Sequence, residues 1–196
     1  WGSCYALSSF PYINTSNVTG FRNTWGSCYS LQEMPLIDTS KGTDFYRTWF
    51  RNETLSSFPP LDFRSATNLS QTWNSSDNLE FFPSGVFDNT SGTVDFSTTF
   101  QSTRLNTQSL DNVLLSINNA NTYSGTLNLN STNMGLPSVP GIAAKYQLEN
   151  RAWTVNTKAV DSDTAASALF YLDDGAWYDV NDLTTLYQDS AGTTPV

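Results

Sequence analysis

The chain carries few side chains with reactive chemistry of their own. Cys4 and Cys28 are its only soft ligands and histidine is absent, which removes the commonest general base and the commonest transition-metal ligand. Two thiols are too few for a structural zinc site. Their separation places them at one position of a repeat, with Asn52 and Ser76 as its later occupants. A disulfide between adjacent units is geometrically possible at such a spacing. The alternative, preferred here, is a ladder of small, buried, hydrogen-bonding side chains.

Nothing singles out a catalytic pair among the 18 acids. Asp161, Asp163, Asp173, Asp174, Asp179 and Asp182 invite a calcium reading, because that ion takes oxygen ligands, but no spacing matches an EF-hand loop. Solvated acids in a linker are the simpler reading. The chain is therefore expected to be no enzyme, with no catalytic residue, metal or cofactor. Asn14, Asn17, Asn52, Asn68, Asn74, Asn89 and Asn130 stand in glycosylation sequons, which so Ser-, Thr- and Asn-rich a composition produces by itself. Thr24, Thr48, Thr72 and Thr99 repeat in a way that could bind ice or a flat sugar surface. Each precedes an aromatic expected to be buried, so a hydroxyl bonded to its own turn is the reading adopted.

These groups must be positioned by repeats. Trp1, Trp25, Trp49 and Trp73 recur every 24 residues, and the unit WGSCYALSSFPYINTSNVTGFRNT is followed by WGSCYSLQEMPLIDTSKGTDFYRT, by a third unit and by a longer fourth. A period of this length marks one coil of a solenoid. Further columns keep their character: Leu7, Leu31, Leu55, Leu79; Phe10, Met34, Phe58, Phe82; Ile13, Ile37, Leu61; Phe21, Phe45, Leu69. So few apolar side chains cannot offset the entropy of ordering a coil alone, and neighbouring coils must share them.

The expected coil has an extended segment, LSSFPYI and its equivalents, with Pro11, Pro35, Pro59 and Pro83 where the ladder needs no amide. A helical turn follows, with Thr19 as its N-cap and Phe21 and Trp25 on one face. The outward positions of the extended segment then align Ser9, Glu33, Ser57 and Phe81 in one row and Tyr12, Leu36 and Pro60 in a second. Exposed apolar and aromatic groups in rows suit a partner protein or a glycan.

After Thr99 the period fails and a cap is expected: a helix from Ser109 in SLDNVLLSI, a strand in TLNLN, a second helix in GIAAKYQLENRA and a last strand in WTVNT. Such a segment would cover the unpaired edge of the last coil. DSDTAAS then reads as a linker, followed by an acidic aromatic stretch. The division is 1–108 repeat array, 109–158 cap, and 159–196 linker and start of a following module. Lacking an initiator Met and starting on a repeat boundary, the chain reads as a fragment or processed product with further coils upstream.

Composition sets outer limits. Lys and Arg number 9 against 18 acids, giving a formal net charge of −9, so a nucleic-acid partner is not expected. No apolar run reaches a membrane span, so no membrane insertion is expected.

The unit SLQEMPLIDTSKGTDFYRTWF resembles the BspA-like leucine-rich repeats of bacterial surface proteins through Cys28 with Leu31, Asp38-Thr39-Ser40, and Thr43 with Phe45. The third unit departs from the pattern, with Phe63-Arg64-Ser65 in place of Asp-Thr-Ser. The resemblance covers residues 1–99; the SLDNVLLSINNANTYSGTLNLN and ENRAWTV stretches are similar to the closing segment of such arrays in bacteriophage proteins. The DGAWYDVNDLTTLYQDSAGTTPV tail is similar to a segment joining modules of phage fibres. The resemblance implies an α/β, leucine-rich-repeat-like solenoid with a C-terminal cap. It also implies a phage virion structural or appendage protein at the virion surface, binding other virion proteins or a host glycan or protein, and assembling as a homo-oligomer. A bacterial cell-surface adhesin is the alternative.

Overall fold

The computed structural model describes residues 1–170. The aromatic-rich tail with Asp173, Asp174, Asp179 and Asp182 lies outside the described residues.

Order in the first 100 residues comes from hydrogen bonds between units. Phe21, Asn23, Trp25 and Ser27 donate their amides to the carbonyls of Asp44, Tyr46, Thr48 and Phe50 at 2.8, 3.0, 2.9 and 2.6 Å. Phe45, Arg47, Trp49 and Arg51 repeat this onto the third coil, and Leu69, Gln71, Trp73 and Ser75 onto the fourth. Isolated parallel bridges pair Gly20 with Asp44, Asp44 with Asn68, and Asn68 with Asp95.

The backbone reaches this geometry through left-handed residues. Asn23, Arg47, Gln71 and Thr98 at one corner, and Ser3, Ser27, Arg51, Ser75 and Ser102 at the next, all have φ between 54° and 64°. None is glycine, so each carries a steric cost of about 1–2 kcal/mol. A left-handed step turns the chain sharply and leaves the amides of alternate residues pointing the same way along the stack.

This overturns the helical turn expected from Thr19. Phe21 and Trp25 do face inward together, with ring centroids 6.3 Å apart. The backbone between them is instead a tight turn closed by Thr24 N to Phe21 O at 3.1 Å, and Asn23 at φ 55° cannot continue a helix. Thr19 caps nothing, its carbonyl accepting from Thr43 N at 2.8 Å. The segment expected to be extended is laddered more sparsely, through Gln32 N to Ser8 O and Glu80 N to Ser56 O, both 3.0 Å. Its prolines remove amides from that side.

Aromatic rings stack along the interior. Trp25 lies 5.8 Å from Trp49 with planes 4° apart, Trp49 5.7 Å from Trp73, and Trp73 5.2 Å from Phe100. Phe21 and Phe45 stack at 5.1 Å. Trp1, expected in the buried column, is 54 % exposed and tilted 58° from Trp25, since only one coil lies against it. Gly42 makes room for the Phe stack: a Cβ there would sit 2.3 Å from Phe45 Cζ and 2.9 Å from the Phe21 ring.

The third coil also corrects the sequence alignment. The counterpart of Asp38-Thr39-Ser40 is Asp62-Phe63-Arg64, and the turn survives: Asp38 accepts from Ser40 N at 3.0 Å, Asp62 from Arg64 N at 2.9 Å. Only the inward residue changes. Thr15 and Thr39 donate their hydroxyls to Asp38 O and Asp62 O at 2.7 and 2.6 Å, whereas Phe63 is fully buried, edge-on to Phe45 at 4.8 Å.

Winding does not stop at Thr99. Strand β1 (Ser91–Gly92) pairs in parallel with β2 (Asn121–Thr122), and β3 (Thr126–Leu129) with β4 (Thr154–Thr157). The register shift becomes 30 residues for Ser91 with Asn121 and 28 for Thr126 with Thr154, so the period lengthens rather than fails. The extra length is helix: α1 (Thr107–Asn119), α2 (Val139–Asn150) and α3 (Ser162–Phe170).

Helix α1 is capped by Asn106, whose side chain accepts from Ser109 N; Ser109 itself lies inside the helix. Its inward side mixes Leu110, Val113, Leu114 and Ile117 with three polar groups aimed at the fourth coil. Ser109 Oγ accepts from Phe82 N at 2.9 Å, Asn112 Nδ2 donates to Phe82 O at 2.8 Å, and Ser116 Oγ accepts from Phe87 N at 2.7 Å. The helix thus satisfies an edge that a further extended segment would otherwise pair. Asp111 of α1 in turn accepts from Ser138 N and Oγ at 3.0 and 2.5 Å, capping α2 from outside. DSDTAAS, expected as a linker, opens α3: Asp161 accepts from Thr164 N at 2.8 Å, and Ala168 packs on Ile142 and Ala143.

Candidate functional site

The outward rows are assembled as their spacing required. Ser9, Glu33, Ser57 and Phe81 are all exposed, and Ser57 and Phe81 are paired in register. Ser9, Phe10 and Pro11 line a shallow groove with Glu33, Met34 and Pro35. In the second row Tyr12 is 66 % and Leu36 60 % exposed, and Pro60 is exposed as well. Phe81 adds a further large apolar side chain, 54 % exposed. The two rows form a ridge of flat apolar groups with one carboxylate, Glu33, among hydroxyls. Such a surface can stack on a partner's apolar face and offer a single anionic contact.

The buried ladders are held by hydroxyls and thiols instead. Thr48 Oγ1 lies 2.8 Å from both Phe21 O and Phe45 O, while Thr72 and Thr99 bridge successive coils in the same way. These threonines are buried, so their hydroxyls tie coil to coil and form no display face. Cys4 and Cys28 are free thiols. Cys28 Sγ lies 3.3 Å from Trp1 O, Cys28 N donates to Asn52 Oδ1 at 3.0 Å, Asn52 N to Ser76 Oγ at 3.2 Å, and Ser76 Oγ to Trp49 O at 2.9 Å. Each member satisfies the backbone of the coil before it. Burial pushes the Cys28 thiol above its ordinary pKa, which keeps it protonated and weakly nucleophilic. Asn52 and Asn74 are buried, which withdraws two of the sequons from any glycan.

Among the described residues no group of three or more His, Cys, Asp or Glu could hold a metal ion. Asp161, one of the acids considered for calcium, is used as a helix cap, and its hydrogen bonds from Thr164 lower its pKa.

Sequence reasoning missed a second surface, on the flank of the left-handed corners. Arg22 lies over the Tyr46 ring at 4.1 Å; Arg47 contacts the Tyr46 and Phe50 rings at 5.1 and 4.7 Å; Arg51 lies over Tyr29 at 5.5 Å. Tyr29 stacks on Tyr5 at 5.0 Å with planes 10° apart. Arg22 and Arg47 do not share a repeat column, so no periodicity announces them. The available signal was that three of the nine cations lie within two coils of aromatic-rich sequence.

No protein-family model matches the chain, and no match is found among curated proteins or among solved structures.

Proposed function

We propose that the chain is a non-enzymatic display module: a leucine-rich-repeat-like solenoid of a phage appendage whose ridge binds a protein or glycan on the host surface. The supporting observation is that Tyr12, Leu36, Pro60 and Phe81 stand exposed on successive coils while the large inward side chains of the second to fourth coils are buried. Stacking fixes the spacing between these groups, so little entropy is lost when a partner docks. Placement on a phage particle, and assembly as a homo-oligomer, follow from the resemblance of the repeats and the tail. No helix among the described residues is long and apolar enough to cross a membrane.

The test is binding to a glycan array and to host-cell surface extract, with Tyr12→Ala and Glu33→Gln as variants. Both should lower binding while leaving the melting temperature unchanged. Variants that bind like the parent chain rule the ridge out, and absence of the chain from the mass spectrum of purified particles rules out the virion assignment.

A further inference from the structure

We infer that the arginine-aromatic flank is a second binding surface, independent of the ridge, and that its ligand is a carboxylated polysaccharide. The chain is strongly acidic, yet Arg22, Arg47 and Arg51 gather on one side of the second and third coils and their neighbours.

Each guanidinium is held by stacking, which costs it rotamer freedom before any ligand arrives and leaves the N–H edge directed outward. Few of those donors are used. Arg22 Nη1 reaches Asp44 at 3.4 Å, Arg47 Nε donates to Gln71 at 2.7 Å, and Arg51 Nη2 stands 4.0 Å from Glu53. Arg47 has no carboxylate partner among the described residues. A guanidinium presents five donors in a fixed fork suited to bidentate carboxylate binding.

The neighbours narrow the ligand class. Asp44, Glu53 and Asp77 lie on or beside the same flank, and the groove next to Arg51 is lined by Phe50, Glu53, Ser75, Asp77 and Ser102. Those acids, and the net charge of −9, repel a densely charged phosphate chain. Interleaved with the arginines are the rings of Tyr5, Tyr29 and Tyr46, which bring neutral phenol groups. Spaced carboxylates alternating with neutral hydroxyls are the pattern of a uronate chain.

The experiment is affinity electrophoresis of the full chain in gels containing polygalacturonate, neutral dextran or poly-glutamate. The polygalacturonate gel should retard the parent chain selectively. Arg22→Gln, Arg47→Gln and Arg51→Gln combined should weaken that retardation by about tenfold or more without changing the melting temperature. Arg47→Lys, which keeps the charge but not the planar fork, should bind less tightly than the parent. Tyr12→Ala with Leu36→Ala should leave retardation intact, which separates this surface from the ridge. The inference is overturned by no retardation of the parent, by equal retardation of the triple variant, by loss in the ridge variant, or by equal retardation in poly-glutamate or dextran.

Discussion

The first four coils and the windings after them stack in the same direction but turn their corners by different means. Up to Thr99 each coil turns on two left-handed, non-glycine residues and is filled with stacked indole and phenyl rings. Beyond it, α1 and α2 make the turns and the core is largely aliphatic, with Leu110, Leu114, Ile117, Leu127 and Leu129 fully buried. A helix satisfies its own backbone, so the later windings depend less on their neighbours. The turn-cornered coils have no such independence, and most of their backbone order is borrowed from the coil alongside.

Breaking the aromatic stack should therefore have the largest effect. Trp49→Ala removes a fully buried ring between Trp25 and Trp73 and should cost about 3–5 kcal/mol in denaturant unfolding followed by tryptophan fluorescence. Trp1→Ala, at a half-exposed ring, should cost under about 1 kcal/mol. Helical circular dichroism, which reports the later windings, should be lost in the same transition for Trp49→Ala, because α1 bonds directly to Phe82 and Phe87. Separate transitions would show that the two regions fold independently.

Overpacking comes next. Gly42→Ala drives a methyl into the Phe21 and Phe45 rings and should cost about 1–3 kcal/mol. Gly20→Ala, where a Cβ meets nothing within 4 Å, is the matched control and should change the melting temperature little. Corners follow. Ser27→Gly should raise stability by about 0.5–1 kcal/mol and Ser27→Val should lower it by about 1–2 kcal/mol, because only glycine takes a φ of 60° without steric cost.

The smallest effect belongs to the helical windings and is read against pH. Burial raises the pKa of Asp111, opposed by its hydrogen bonds from Ser138. The folded chain then holds that proton more tightly than the unfolded chain between the ordinary carboxylate pKa and the raised one. Its contribution to stability is fully present below that window and is lost as pH rises through it. Asp111→Asn should flatten the melting temperature across this window; an unchanged pH profile would show that another group titrates there.

What the sequence made legible was the inward columns, since a buried position tolerates few residue types and so repeats them. The outward rows followed by counting from those columns. The corners were hidden because Asn23, Arg47, Gln71, Ser27 and Arg51 are chemically unlike one another and share only a backbone angle. Continued winding was hidden because a register shift of 28 or 30 residues breaks a search for 24, and Phe63 concealed a conserved turn by replacing a threonine inside it. The arginine flank lay on outward sites of those same corners, where no column repeats.

The ladder at the corners also gives the stack an electrical direction. In an ordinary sheet, peptide dipoles along a strand alternate and largely cancel. Here the carbonyls of Asp44, Tyr46, Thr48 and Phe50 point back to the first coil while the next amides, of Phe45, Arg47, Trp49 and Arg51, point on to the third. Aligned peptide units add as they do along a helix. That flank is consequently polarised, negative toward the first coil and positive toward the later windings, and two such rods lying side by side attract when they run in opposite directions.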